Sequence, residues 1–127
     1  AHMCADKTQK VIRFVQDGKV LLTTDVRFGV SDGVHDTPEG SYAVYAKDRD
    51  AVSHINCEPN CTPATLAPMP FAQFFNGDMA VHYSPTFNAY GYYPGGGSHG
   101  CINVRDEQDA IWLFDHSPPG TPVIVYS

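Results

Sequence analysis

The sequence predicts a mainly β domain, a β-sandwich or barrel-like sheet, with one short helix after Cys101. Three observations carry that prediction. Many short β-prone runs alternate with turn residues, and only one segment, near the C-terminus, has a helical pattern. The chain has 127 residues, of which 43% are apolar and 12% aromatic, enough to build one core.

The elements follow in chain order. Lys10–Val15 and Lys19–Thr24 flank Asp17-Gly18, and an Asp-Gly pair between two β-prone runs marks a hairpin. Asp32-Gly33 marks a further turn, and residues 40–47, Gly-Ser-Tyr-Ala-Val-Tyr-Ala-Lys, carry the aromatic and β-branched content of a strand. From Asp48 to Pro70 the chain is polar and contains Pro59, Pro63, Pro68 and Pro70, which reads as a long loop or flap. After Phe71–Phe75 and an Asn76-Gly77 turn, Met79-Ala80-Val81-His82-Tyr83 reads as a short buried strand. Ser84 to Gly97, rich in Tyr, Pro and Gly, reads as a loop. Asp106 to Phe114 predicts the helix, with acidic residues in its first turn, and residues 121–126 the closing strand.

Residues 1–3, Ala-His-Met, read as a cloning scar, leaving residues 4–127 as a single domain. A natural N-terminus, with any signal peptide or anchor, would then be missing. The net charge of −6, with only 8 scattered Lys and Arg, excludes the electrostatic footprint of a nucleic-acid binder. No apolar run reaches the roughly 20 residues that span a bilayer. Of the four cysteines, Cys57 and Cys61 flank Glu-Pro-Asn, a turn-forming spacer, so a disulfide in an oxidising compartment is preferred over two free thiols. A metal site is disfavoured because no second pair of Cys or His stands at ligand spacing. Cys4 is left over and reads as having lost a partner further upstream.

The chemistry centres on Ser98-His99-Gly100-Cys101-Ile102-Asn103, which follows the glycines 95–97. A thiol becomes a nucleophile when a base takes its proton. Among six histidines, His2 falls in the scar, and His35, His54 and His116 fall in stretches read as loops. His99 stands too close in sequence to give a linear proton path, so His82, at the end of a strand, is the preferred base and His99 orients the loop or assists binding. A backbone carbonyl could fix one ring nitrogen of His82 and leave the other for sulfur. Gly100 allows close approach of a carbonyl, with the Gly100 and Cys101 N–H groups available to an oxyanion. These parts suit acyl transfer; the alternative is that Cys101 is a small packed hydrophobe.

The pairing of His82 with SHGCIN, which begins sixteen positions later, resembles the signature of the L,D-transpeptidase catalytic domain (YkuD type): a histidine, a spacer of about that length, then Ser/Thr-His-Gly-Cys, an apolar residue and often Asn. Thr37-Pro38-Glu39-Gly40-Ser41-Tyr42-Ala43-Val44 resembles that family's Thr-Pro-x-Gly strand entry, and Met69-Pro70-Phe71 its Met-Pro-aromatic segment. The resemblance implies an L,D-transpeptidase-type β-sandwich in an extracytoplasmic enzyme of the cell envelope, acting as a monomer and anchored through a missing region. Its partners would be peptidoglycan stem peptides, with carbapenem-type β-lactams as covalent inhibitors and no cofactor or metal. It also implies Cys101 as nucleophile forming a thioester, His82 as base, and the Tyr83 carbonyl orienting the imidazole. Ser98, His99 and Asn103 would shape the pocket, and the outcome would be a 3→3 crosslink or, with water as acceptor, L,D-carboxypeptidase activity.

Met69, Phe71, Tyr90, Tyr92 and Tyr93 are candidate walls of the cleft, the tyrosines because a Gly/Pro-rich loop cannot bury all three rings. Arg105 could contact a substrate carboxylate or simply begin the helix. A non-catalytic peptidoglycan-binding module and a sortase-like cysteine transpeptidase, with Arg105 near the oxyanion, are the competing functions.

Overall fold

The computed structural model describes residues 1–30, 36–53, 57–92 and 97–127. The Asp32-Gly33 turn, His35, His54, Tyr93 and the first two glycines of the run at 95–97 lie outside the described residues.

Among the described residues, nine strands form one hydrogen-bonded ladder: β1 (His2–Asp6), β2 (Val11–Gln16), β3 (Lys19–Arg27), β4 (Gly40–Ala43), β5 (Ala46–Ser53), β6 (Ala67–Asn76), β7 (Met79–Tyr83), β8 (Ile102–Val104) and β9 (Pro122–Tyr126). Their order is β4-β9-β1-β2-β3-β8-β7-β6-β5. The sheet curls until its ends meet. Tyr45 N–H donates to the Phe74 carbonyl at 2.9 Å, and the Tyr42 and Phe75 rings lie 5.3 Å apart. The mainly β class expected from the sequence is the class observed.

The Asp17-Gly18 hairpin joins β2 to β3, both residues having positive φ (52° and 75°), as a tight turn between right-twisted strands requires. β1 includes His2 and Met3, set aside in the sequence reading, and Met3 is fully buried between β2 and β9.

Three local expectations are corrected. The strand expected over 40–47 breaks at Val44-Tyr45 into β4 and β5, which join opposite edges of the ladder. The loop expected from Asp48 to Pro70 narrows, because β5 and the first half of β6 pair antiparallel from Ala46↔Phe74 to Ser53↔Ala67. β5 is an edge strand with a polar face, so it shows no hydrophobic alternation. Pro68 and Pro70 are tolerated because β7 pairs only with the later part of β6, from Gln73 on, leaving the proline stretch bonded on one side. The Cys57–Cys61 disulfide sits between these strands, as expected.

The third correction lies within the expected loop at 84–97, which contains a short helix, α1 (Pro85–Tyr90). Ser84 caps it by accepting the Phe87 N–H, proline occupies the first turn, and Gly91 ends it at φ 64°. Six residues are too few to show helical periodicity in sequence. The expected helix after Cys101 is α2 (Glu107–His116), capped by the Asp106 carboxylate on the Asp109 N–H.

Inside the curl, Ile12, Phe14, Val26, Val81, Ile102, Val104, Val123 and Val125 make one core, and α2 closes it with Ala110 and Leu113. Leu113→Ala is expected to cost about 2–5 kcal/mol in urea unfolding, because the cavity opens under a fully buried side chain. Leu21→Ala, on the exposed part of β3, is expected to change stability by less than about 0.5 kcal/mol.

Candidate active site

β7 and β8 are neighbours but run parallel, so the chain must cross over between them, and residues 84–101 with α1 supply that crossover. The consequence is that Cys101, just before β8, arrives beside the beginning of β7. The register then sets His82 against Asn103, and on the other side of β8 sets Arg27 of β3 against the same Asn103. Cross-strand partners share a face of the sheet, so Arg27, Asn103 and His82 form one row.

All three side chains are buried, and they bond in sequence. The Arg27 guanidinium donates twice to Asn103 Oδ1, from Nε at 3.0 Å and Nη2 at 2.7 Å. Asn103 Nδ2 lies 3.1 Å from His82 Nε2, and His82 Nδ1 lies 2.7 Å from the Tyr83 carbonyl oxygen. A carbonyl only accepts, so Nδ1 carries the proton and Nε2 the lone pair. Burial, the largest influence, pushes the imidazole down to a pKa of about 4; the Tyr83 bond opposes this and the nearby Arg27 charge reinforces it. His82 is a neutral base at neutral pH.

Cys101 is held by the start of β7. Its Sγ accepts the Ala80 N–H at 3.4 Å and lies 3.8 Å from the Asp78 carbonyl oxygen, toward which the S–H points. Its side chain packs against the small apolar cluster of Ala51, Met69, Ala72 and Ala80. Burial raises the thiol pKa, the Ala80 N–H lowers it, and Asp78 raises it further, with a net upward shift from the ordinary 9.0. The site therefore rests as a neutral thiol and a neutral imidazole. The expectation that the second nitrogen of His82 faces sulfur meets a different arrangement, since that nitrogen is taken by the Asn103 amide.

The loop carrying Cys101 is fastened from within. Ser98 Oγ donates to the Cys101 carbonyl and accepts the Gly100 N–H at 3.2 Å. That bond occupies one of the two N–H groups expected to serve an oxyanion, leaving the Cys101 N–H as the candidate. Gly100 has φ 112°, a conformation that residues with a Cβ rarely adopt, and a Cβ there would also press on the end of the Met79 side chain, 2.6 Å from its Cε. The fully buried Thr37 hydroxyl donates to the Gly100 carbonyl at 2.8 Å and accepts the Gly29 N–H at 2.9 Å. Thr37 thus ties the Thr-Pro-x-Gly segment to the cysteine loop.

Of the other residues singled out in the sequence, Met69 belongs to the apolar cluster against which Cys101 packs, and His99 stands exposed in the cysteine loop. Phe71, at φ 58°, turns to α2, its ring 5.8 Å from Phe114 with Arg49 over it. Tyr90 is 74% exposed at the end of α1. Tyr92 donates to the Val26 carbonyl at 2.8 Å, its ring against Phe87, on the side of α1 and β3. Arg105 follows β8 at the end opposite Cys101, over the Phe87 ring, and with Thr23, Asp25, Asn88, Asp106 and Asp109 lines a polar cavity of about 400 Å³. An arginine beside the oxyanion, which the sortase-like reading requires, is not supplied by Arg105.

Sequence reasoning missed Arg27 and the clamping role of Thr37. Arg27 carries no motif signal, since only the strand register brings it to Asn103. Thr37→Val keeps shape but leaves the Gly29 N–H and Gly100 carbonyl without their partner. Urea unfolding is expected to show a loss of about 1–3 kcal/mol, and alkylation of Cys101 a changed rate as its loop loosens. Unchanged values in both would remove Thr37 from the site's framework.

Comparison with known proteins agrees with this geometry. Residues 1–125 match the family model of the YkuD L,D-transpeptidase catalytic domain. No curated protein matches the chain. Among solved structures, the chain is similar to an L,D-transpeptidase from Stackebrandtia nassauensis (27% identity, TM-score 0.80, covering 99% of this chain and 55% of that one). An L,D-transpeptidase from Mycobacterium smegmatis is comparable (27%, 0.81, 98% and 58%). So is the L,D-transpeptidase LdtMt1 in complex with imipenem (28%, 0.80, 98% and 57%). The chain spans a little more than half the length of these relatives. With His82 on β7, Cys101 on the loop that enters the parallel neighbour β8, and a match over nearly its whole length, the chain belongs to the YkuD family of L,D-transpeptidase catalytic domains.

Proposed function

We propose that this domain is a cysteine acyltransferase acting on peptidoglycan stem peptides, forming 3→3 crosslinks between them. The observation that carries the reading is a buried neutral imidazole, its tautomer set by the Tyr83 carbonyl, paired across the strands with Asn103, two residues after a cysteine whose loop is fastened by Ser98 and Thr37. In the reaction, Cys101 Sγ adds to the carbonyl of the third residue of a tetrapeptide stem while its proton passes to His82 Nε2. The imidazolium so formed returns the proton to the departing nitrogen of the terminal D-Ala, leaving a thioester. An amine from a second stem then attacks the thioester, giving up its proton to His82, and the thiol is regenerated. Water as acceptor releases a tripeptide instead.

Within this mechanism the resting His82 must be unprotonated, and its depressed pKa keeps it so throughout the neutral range. Attack requires that Asn103 yield Nε2 to the sulfur proton. With the Gly100 N–H taken by Ser98, the Cys101 N–H is the main-chain donor offered to the developing oxyanion, and Met69 contributes to the apolar cluster against which Cys101 packs. Ser98 and Asn103 act by shaping the loop and the base.

An extracytoplasmic setting follows from the substrate. No helix among the described residues is long and apolar enough to cross a membrane. The imipenem complex of LdtMt1 supports carbapenems as reagents that would acylate the same thiol here.

Intact-mass spectrometry after incubation with a carbapenem tests the reading. The native protein is expected to gain one drug mass and Cys101→Ala none; a native protein with reduced Cys101 that gains nothing would count decisively against it. Incubation with tetrapeptide stems is expected to yield linked stems and free D-Ala, both lost in His82→Ala. Stems that bind but emerge unaltered would instead identify a non-catalytic module.

A further inference from the structure

Arg27 is a buried cation bonded to an amide. It is 9% exposed, its donors reach Asn103 Oδ1 twice and Ser84 Oγ once at 3.4 Å, and its guanidinium lies 5.3 Å from the Phe87 ring centre. Among the described residues no carboxylate lies at ion-pair distance from it. A buried charge without a counter-charge is costly, and an apolar residue at this position in β3 would hold the sheet without that cost. The arrangement therefore calls for a reason beyond packing.

The reason lies in what the fork does to Asn103. A carboxamide has an acceptor end and a donor end, and on its own Asn103 could present either to His82. Arginine only donates. Two of its N–H groups converge on Oδ1, so Oδ1 must face β3, and Nδ2, at the opposite side, must face Nε2 across β8. Nδ2 can bond Nε2 only when that nitrogen carries a lone pair, which is the state the Tyr83 carbonyl also demands from the other side of the ring. Two independent contacts thus agree on one tautomer.

We propose that Arg27 is a positioning residue of the active site: by fixing which end of the Asn103 amide meets His82, it holds the base as the Nδ1–H tautomer with Nε2 aimed into the site. This assignment rests on the acyltransferase reading given above. It adds a residue on a third strand, more than 50 positions from either motif, to the machinery. The same lysine-like charge without a planar fork would not suffice, since a single donor leaves the amide free to rotate. A merely structural alternative exists: Arg27 could serve to fasten α1, through Ser84 and Phe87, to the sheet.

Imidazole ¹⁵N spectra of the histidine-labelled protein at neutral pH distinguish the two, read alongside the rate of carbapenem acylation. In the native protein His82 is expected to show a protonated Nδ1 and an unprotonated Nε2. In Arg27→Met, which keeps the apolar stem but carries no donor, the single tautomer is expected to give way to a mixture. Maximal acylation rate should fall on the order of tenfold with little change in the concentration giving half that rate. Arg27→Lys is expected to recover only part of the rate. A structural role would lower the melting temperature and leave the His82 resonances of the folded molecules unchanged, and native His82 signals in folded Arg27→Met would overturn the proposal. Should Arg27→Met not fold, Asn103→Asp decides: its carboxylate satisfies the guanidinium but offers Nε2 no donor, so Nε2 should take up a proton. An unprotonated Nε2 in that variant would overturn the proposal as well. Failure of the native protein to acylate would sink the acyltransferase reading instead, and the tautomer measurements would remain informative without it.

Discussion

The register of three short strands is the constraint on which the site depends. β3 meets β8 antiparallel and β8 meets β7 parallel, so that Arg27, Asn103 and His82 stand side by side on one face. Slipping either pairing by one residue would turn the partner's side chain to the opposite face and break the chain of bonds from guanidinium to imidazole. β8 has only three residues, Ile102–Val104, and all are buried. Ile102 and Val104 point into the core while Asn103 points into the site, so the apolar flanks pin the register and the polar residue between them uses it. Packing and chemistry are thus two sides of one strand.

The parallel pairing has a second consequence. A parallel neighbour cannot be reached by a tight turn, so the cysteine loop must come at the end of a long crossover, and its free span has to be tied down. Ser98, Gly100 and Thr37 do this from three directions, through the Cys101 carbonyl, the Gly100 N–H and the Gly100 carbonyl. The bonds consume main-chain groups next to the nucleophile but leave its side chain on the Ala80 N–H and the apolar Met69 cluster. Burial acts on both reacting groups in the direction of neutrality, lowering the imidazole and raising the thiol. On the proposed mechanism such a site keeps its thiol protonated until a substrate carbonyl is in place, when attack by sulfur and proton transfer to His82 proceed together.

Much of this was legible in the sequence, for identifiable reasons. The Asp17-Gly18 hairpin, the buried run at β7 and the capped α2 each carry a local signal, and His82 with SHGCIN carries a chemical one. α1 is too short for periodicity, and β5 is polar along its exposed edge, so neither declares itself. Pro68 and Pro70 misdirect, because a proline argues against a strand unless one knows that one side of it is unpaired. Arg27 was invisible for a different reason: its partners are set by β-register, which links residues 27, 82 and 103 only once the ladder is assembled. Arg105, adjacent in sequence to the motif, attracted the attention that Arg27 merits, yet the length of β8 carries it to the far end.

The central claim is that the site rests as an uncharged pair, with proton transfer coupled to attack rather than completed beforehand. Thiolate absorbance near 240 nm, titrated as the difference between the native protein and Cys101→Ala so that Cys4 cancels, tests it directly. The account predicts no Cys101 thiolate across the neutral range and its appearance only as the pH passes above 9.0. A thiolate already present at neutral pH and lost only on acidification would show a preformed thiolate–imidazolium pair and contradict the account.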